Sequence, residues 1–184
     1  MVTSTLRTLT ATAAMALLLS LAACSSATDS ETAEPSASAS ASASASSGQD
    51  CSGVTVVVDA SAFEDADDIS QTRCIETDKA IAATDALDAA GVTTEGTTEY
   101  GDQVVCRVDG LPAEDVALTA EDGSDYFETC ESMPAAFAYW SLWVQPAGGE
   151  WAYATEGLST LQLQPGEGVA LLFTLNGAPA TPTS

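Results

Sequence analysis

Apolar side chains are concentrated in a few short runs, and the spacing within each run points to an element. Residues 53–60, "GVTVVVDA", form a β-branched apolar run that predicts a strand buried on both faces or nearly so. The acidic stretch "FEDADD" reads as a loop, and "ISQTRC" (69–74) as a short returning strand. "TDKAIAATDALDAAG" (77–91) carries the one helical pattern, with Thr77 or Asp78 capping its first turn and Gly91 ending it in a left-handed conformation. Ala80, Ala83, Thr84 and Leu87 fall on one side of that helix, while Asp78, Asp85 and Asp88 fall on the other. "DQVVCRVDG" (102–110) predicts a strand running into an Asp-Gly turn, and "LPAEDVALTAEDGSDYFET" shows no clear period. "AYWSLWVQ" and "GEWAYATEG" flank Pro146-Ala147-Gly148-Gly149 and predict an antiparallel hairpin. "STLQLQPGEGVALLFTL" adds a strand, a Pro-Gly turn and a last apolar strand. Two strands, one helix and then several strands make an α+β domain, a single small β-grasp-like module with a mostly antiparallel sheet.

All three tryptophans lie in residues 136–157. Side chains alternate faces along a strand, so Trp140, Leu142 and Val144 should share a core-facing side. Tyr139, Ser141, Trp143 and Gln145 share the other side, whose mixed character suits a half-exposed surface. Trp151 and Tyr153 lie on one face of the partner strand, where register can bring them beside Tyr139 and Trp143. These four aromatics are the candidate ligand-binding residues, and packing beneath loops is the competing explanation.

The ends of the chain read differently from its middle. Residues 1–23 have the form of an export signal: Arg7, then "AAMALLLSLAA", too short to span a bilayer as a mature helix. The run ends in Leu21-Ala22-Ala23-Cys24, which resembles a bacterial lipobox, and that resemblance implies cleavage before Cys24 and lipidation of its sulfur. Each buried acyl methylene contributes ~0.8 kcal/mol, so two or three chains on Cys24 would hold the protein durably. The expected location is therefore the extracellular face of the cytoplasmic membrane. Residues 24–50 are largely alternating Ser and Ala with no large apolar side chain, the composition of a disordered linker. Such a linker has an r.m.s. reach of roughly 25–30 Å. The folded domain is then 51–176, and 177–184, "GAPATPTS", reads as a flexible tail.

Four cysteines, Cys51, Cys74, Cys106 and Cys130, fall inside the domain. An even count in a small exported domain argues for two disulfides, with three pairings open. A hairpin centred near Ala62 brings Cys51 opposite Cys74 and favours that bridge, leaving Cys106 with Cys130. Closing a loop of that size contributes roughly 3 kcal/mol in the chain-entropy description.

Charge and composition mainly exclude. Asp and Glu number 27 against 4 Lys and Arg, a net charge of −23. That field repels nucleic acid and anionic headgroups. The chain has no histidine, which removes Ser-His-Asp and Cys-His catalysis and the commonest zinc ligand. No nucleophile stands beside a recognisable base, so the expectation is a non-enzyme without cofactor or metal. Asp59, Glu64, Asp65, Asp67 and Asp68 form one acidic group, and Asp122, Asp125 and Glu128 another. Neither has the glycine placement or ligand spacing of a Ca²⁺-binding EF-hand loop, and both read as solvated acidic loops.

The segment "CESMPAAFAYWSLWVQPAGGEWAYATEG" resembles the transcobalamin C-terminal-like domains of exported proteins of Gram-positive bacteria. The matching positions are Cys130, Pro134, Tyr139, Trp140, Ser141, Trp143, Trp151 and Tyr153; "VTVVVDA", "DALDAAGV" and "VVCRVDG" are similar in type and order. The resemblance implies a β-grasp domain that binds a soluble ligand, a corrinoid or another vitamin-like compound, and presents it to an uptake system with a transporter as partner. The alternative is a surface interaction or inhibitor module that grips another protein through the aromatic hairpin. Two features depart from the family: "GEGVALLF" has only Phe173 where an aromatic follows the glycine turn, and no histidine can coordinate a corrinoid cobalt.

Overall fold

The computed structural model describes residues 51–177, apart from Asp65 and Asp67, together with residues 181 and 182. The export signal, Cys24 and the Ser/Ala linker lie outside the described residues. Among the described residues no helix is long and apolar enough to cross a membrane.

The elements run β1 (Val54–Asp59), β2 (Gln71–Ile75), β3 (Ile81–Ala82), α1 (Ala83–Ala89), β4 (Thr94–Thr97) and β5 (Gly101–Val108). They continue with β6 (Leu118–Thr119), β7 (Asp125–Tyr126), β8 (Ala138–Gln145), β9 (Ala152–Tyr153), β10 (Gln162–Leu163) and β11 (Gly168–Leu175). The described domain is mostly β with a single helix, antiparallel pairing predominates, and two disulfides close it.

Five strands form the main sheet in the order β2-β1-β11-β8-β9. β1 and β11 are parallel at its centre, and each has an antiparallel neighbour on its other side. A central strand must be apolar on both faces, and "GVALLFTL" meets that condition. Val169, Leu171 and Phe173 point to one side and Ala170 and Leu172 to the other, all buried.

The main core lies on the inner side. Val54, Val56 and Val58 of β1 meet Val169, Leu171 and Phe173 of β11 and Trp140 of β8. Ala83, Ala86 and Leu87 of α1 close over them, their small side chains letting the helix approach the sheet. Trp140 is a core residue, as its strand position predicts. Its ring meets Phe173 edge-on at 5.3 Å between centroids, and its indole N–H donates to the Leu111 carbonyl at 2.9 Å.

The helix is shorter than its pattern suggests. Expected over 77–91, it occupies Ala83–Ala89, because Ile81 and Ala82 pair as a strand with Leu163 and Gln162. Ala82 is extended at the N-cap and offers no side-chain cap, while the Thr77 hydroxyl bonds locally to the Lys79 backbone. Ala80, assigned to the buried side, is exposed. The C-terminal end follows expectation. Gly91 at φ 79° donates to the Asp88 carbonyl, and Val92 N–H to the Leu87 carbonyl. That is a Schellman stop, with Val92 and Leu87 both buried beside it.

Both expected disulfides are present, Cys51–Cys74 and Cys106–Cys130. The first closes the open end of the β1–β2 hairpin, where Cys74 pairs with Thr55. The second joins β5 to the segment before β8. The unassigned stretch contains the β6–β7 hairpin, turned at Gly123 with φ 82°. Its Asp122 carboxylate accepts from the hydroxyl and the backbone N–H of Ser124, which lower its pKa, the hydroxyl most.

Candidate functional site

The four candidate aromatics meet on the face of the main sheet turned away from α1. The β8–β9 register pairs Trp143 with Tyr153, which places both rings on that outer side. Tyr139 lies four residues before Trp143 and Trp151 two before Tyr153, so strand alternation brings them to the same face. Trp143 and Tyr153 stack with centroids 4.0 Å apart and planes 25° from parallel. The Tyr153 phenol is raised above its ordinary pKa, by burial first and by the neighbouring Tyr139 phenol second.

The outer side is less open than a mixed polar and aromatic pattern suggests. Trp143, expected half-exposed, is 7% exposed and packs with Ala170, Leu172, Val57 and Trp151 in a second small cluster. Ser141, also placed on that face, is buried. Its hydroxyl donates to the Leu172 carbonyl and accepts from the Trp143 indole N–H, each at 2.9 Å. A serine between two tryptophans is thus a fully used hydrogen-bonding residue rather than a solvated one. Tyr139 and Trp151 are half-buried, and Tyr153 at 52% is the exposed member of the group.

Trp151 sits where the surface opens. Its ring lies over Gly168, and a Cβ built at that glycine would stand 2.8 Å from Cη2. Beside it is a hollow of about 390 Å³ lined by Gln145, Gly149, Glu150, Trp151 and Thr181. The Trp151 indole N–H is buried and has no hydrogen-bond partner, and the same is true of the Thr174 hydroxyl, which the β8–β11 register sets opposite Tyr139. Buried donors are normally paired, so these two are exceptions within the packed outer face. The hollow is thus lined by one aromatic residue, Trp151, and has Gln145 and Glu150 as its polar and charged residues. A smaller cavity of about 180 Å³ lies between Val144 and Pro146 on one wall and Leu161, Leu163 and Glu167 on the other.

Gln145, Gly149, Glu150, Gly168 and Thr181 were not among the residues expected to matter. A glycine inside a strand pattern is the one available sign for Gly168, since it marks a close approach of another group. The sequence reading places Gly149 in the turn and Glu150 in the strand segment that follows it. Thr181 belongs to the tail read as flexible, yet it lines the hollow, and Pro182 next to it is buried.

Among the described residues the acidic groups do not gather into a site. Asp59 accepts from Ser61 N–H, and Asp122 is occupied by Ser124; Asp65 and Asp67 lie outside the described residues. Glu128 is buried, with one carboxylate oxygen accepting from Cys130 N–H and the other from the Tyr126 hydroxyl, both at 2.8 Å. Burial, then that bond and the Glu128 charge, push the Tyr126 phenol up to about 12. Among the described residues the one set of three close ligand atoms is Cys106, Glu128 and Cys130, and its two sulfurs are tied in a disulfide. Arg107, also buried, donates to the Pro112 and Glu128 carbonyls and pairs with Glu95 at 3.0 Å. These contacts are structural. No family model, curated protein or solved structure matches this chain.

Proposed function

We propose that the chain is a lipid-anchored exported protein whose outer aromatic face binds a small, partly apolar ligand, of corrinoid or other vitamin-like type, for delivery to an uptake system. The observation that carries the reading is the hollow beside Trp151. The hollow is walled by Trp151, whose ring is half-buried, and Tyr153 two residues on is exposed on the same face. An aromatic wall with a small number of polar groups is the usual make-up of a small-molecule site. The fold reading is a β-grasp: one helix held against a sheet whose first and last strands run parallel at its centre supports it. The resemblance to transcobalamin C-terminal-like domains points the same way, and fold-level likeness alone does not name a ligand.

Tethering through Cys24 rests on the lipobox-like end of residues 1–23. Mass spectrometry of the native N-terminus tests it, with a diacylated or triacylated Cys24 expected and an unmodified residue contradicting it. The binding reading is tested by a thermal-shift screen against cobalamin, cobinamide, thiamine and biotin. A cognate compound at a hundred times its Kd stabilises by about 2.7 kcal/mol. No shift with any of them near a millimolar would remove the vitamin-like reading. The alternative, a hairpin that grips another protein, takes its support from Tyr153, 52% exposed on the short edge strand β9.

A further inference from the structure

We infer that the strip formed by residues 98–100 and 127–133 is a docking face for another protein, and that it takes an extended segment carrying arginine or lysine between apolar side chains. It shares no residue with the aromatic face of the main sheet. Among the described residues five large hydrophobic side chains are exposed. Four of them, Tyr100, Val116, Phe127 and Met133, flank this strip, at 43–60% exposure. Single exposed apolar residues are ordinary, whereas a group of them rimmed by polar residues marks an interaction surface.

Hydrogen bonds bring the four into one region. Thr98 N–H donates to the Cys130 carbonyl and Glu99 N–H to the Glu131 carbonyl, which lays 98–99 alongside 130–131. Tyr100 and Met133 therefore lie at one end of the strip. At the other end the Arg107 guanidinium donates to the Pro112 and Glu128 carbonyls and pairs with Glu95. That draws the segments bearing Val116 and Phe127 together, and the β6–β7 register, Leu118 with Tyr126, continues the same approach. Between the two ends Glu99 and Glu131 are exposed. The strip is also stiff. Glu128 and Cys130 are buried within it, and the Cys106–Cys130 disulfide ties it to β5. An ordered surface loses little entropy when it binds.

Charge names the partner's chemistry. The chain has a net charge of −23. Among the described residues the one ion pair is Arg107 with Glu95, so no cation of the chain's own meets Glu99 or Glu131. Arginine and lysine lay their aliphatic stems on apolar surface and keep the charged head free. Arginine also stacks on aromatic faces of the kind Tyr100 and Phe127 present. One such side chain can therefore use a ring and a carboxylate together. An acidic partner is repelled, and a second copy of this chain is an acidic partner.

The test follows amide resonances of the isotope-labelled mature chain as a synthetic peptide repeating Leu-Ser-Arg-Ser is added. When that peptide is extended, its leucines and arginines share one face. Residues 98–100 and 127–133 should shift at about 1 mM peptide, and a counterpart with glutamate for arginine should leave them unmoved. Glu99→Gln with Glu131→Gln, and Phe127→Ser with Met133→Ser, should each weaken binding about tenfold. Asp85→Asn with Asp88→Asn removes as much charge from the exposed side of α1 and should change binding less than about twofold. Dispersed spectra establish that every variant is folded. No shift with the arginine peptide overturns the inference. So do shifts spread over α1, or an equal loss in the α1 variant, since either leaves only net charge at work. Shifts of the same residues on raising the protein concentration alone would assign the strip to self-association and overturn it as well. The vitamin panel bears on the face around Trp151 and leaves this outcome untouched.

Discussion

Replacing Trp143 by alanine should unfold the domain more readily rather than merely blunt a surface. The ring is 7% exposed and packs on Ala170 and Leu172, which are 0% and 2% exposed. It also stacks on Tyr153 at 4.0 Å and donates to Ser141 at 2.9 Å. Truncating a buried Phe or Trp to alanine costs about 3–5 kcal/mol, the lost transfer energy and the cavity included. The stack with Tyr153 accounts for roughly 0.5–1.5 kcal/mol of that. Ser141 keeps the Leu172 carbonyl as partner, so no strongly unsatisfied group is added. A loss of about 4 kcal/mol is a large share of the 5–15 kcal/mol typical of a domain. It should lower Tm by roughly 10–20 °C at this size. Urea unfolding followed by far-UV dichroism, with disulfides intact, gives the value. Tyr153→Ala, at a half-exposed ring, should cost only about 1 kcal/mol. A Trp143→Ala loss below about 1 kcal/mol would refute a packed second cluster on the outer face. It also follows that Trp143→Ala cannot separate a binding role from a structural one, and that Tyr153 and Trp151 are the positions that can.

Arg107→Ala leaves the Pro112 and Glu128 carbonyls without their donor and should cost roughly 2–4 kcal/mol, while Glu95→Ala, at the exposed end of the same pair, should cost less than about 1 kcal/mol by thermal melting. Tyr126 has its folded pKa raised to about 12, so its stabilising contribution is intact below pH ~10 and lost as pH climbs through about 12. Stability measured across that window should fall less steeply in Tyr126→Phe, and equal slopes would contradict the raised Tyr126 pKa, whose first cause is burial. Cys106 and Cys130 are buried, whereas Cys74 is exposed. Access should therefore let a mild dithiol open Cys51–Cys74 first, and alkylation followed by peptide mass mapping should find Cys51 and Cys74 labelled before the other pair.

What could be read from the chain was what neighbours in sequence decide. The β-branched run of β1, the Gly91 stop, the two cysteine pairs and the alternation that sends Trp140 inward are all local signals, and each is found. The start of α1 was not legible, because Ile81 and Ala82 leave the helix to pair with β10, some 80 residues away. The β6–β7 hairpin does carry a local signal, the Asp-Gly pair at Asp122-Gly123, within a stretch that has no clear period. The outer cluster was hidden for a chemical reason. Ser141 reads as polar surface, and only the partners it finds in Leu172 and Trp143 make it a buried residue. The hollow depends on Gly168 lying under Trp151 and on the tail reaching Thr181, two long-range facts that periodicity does not encode.

The central claim is that the outer face around Trp151 receives a ligand. Isothermal titration of the mature chain with the compound that gives the largest thermal shift, repeated on Gly168→Ala and Tyr153→Ala, tests it most directly. A methyl at position 168 would meet the Trp151 ring at 2.8 Å and must displace it. The account predicts at least a tenfold weaker Kd in both variants, about 1.4 kcal/mol each, with the fold retained. Affinity unchanged in both would place the ligand elsewhere and leave this face a structural one.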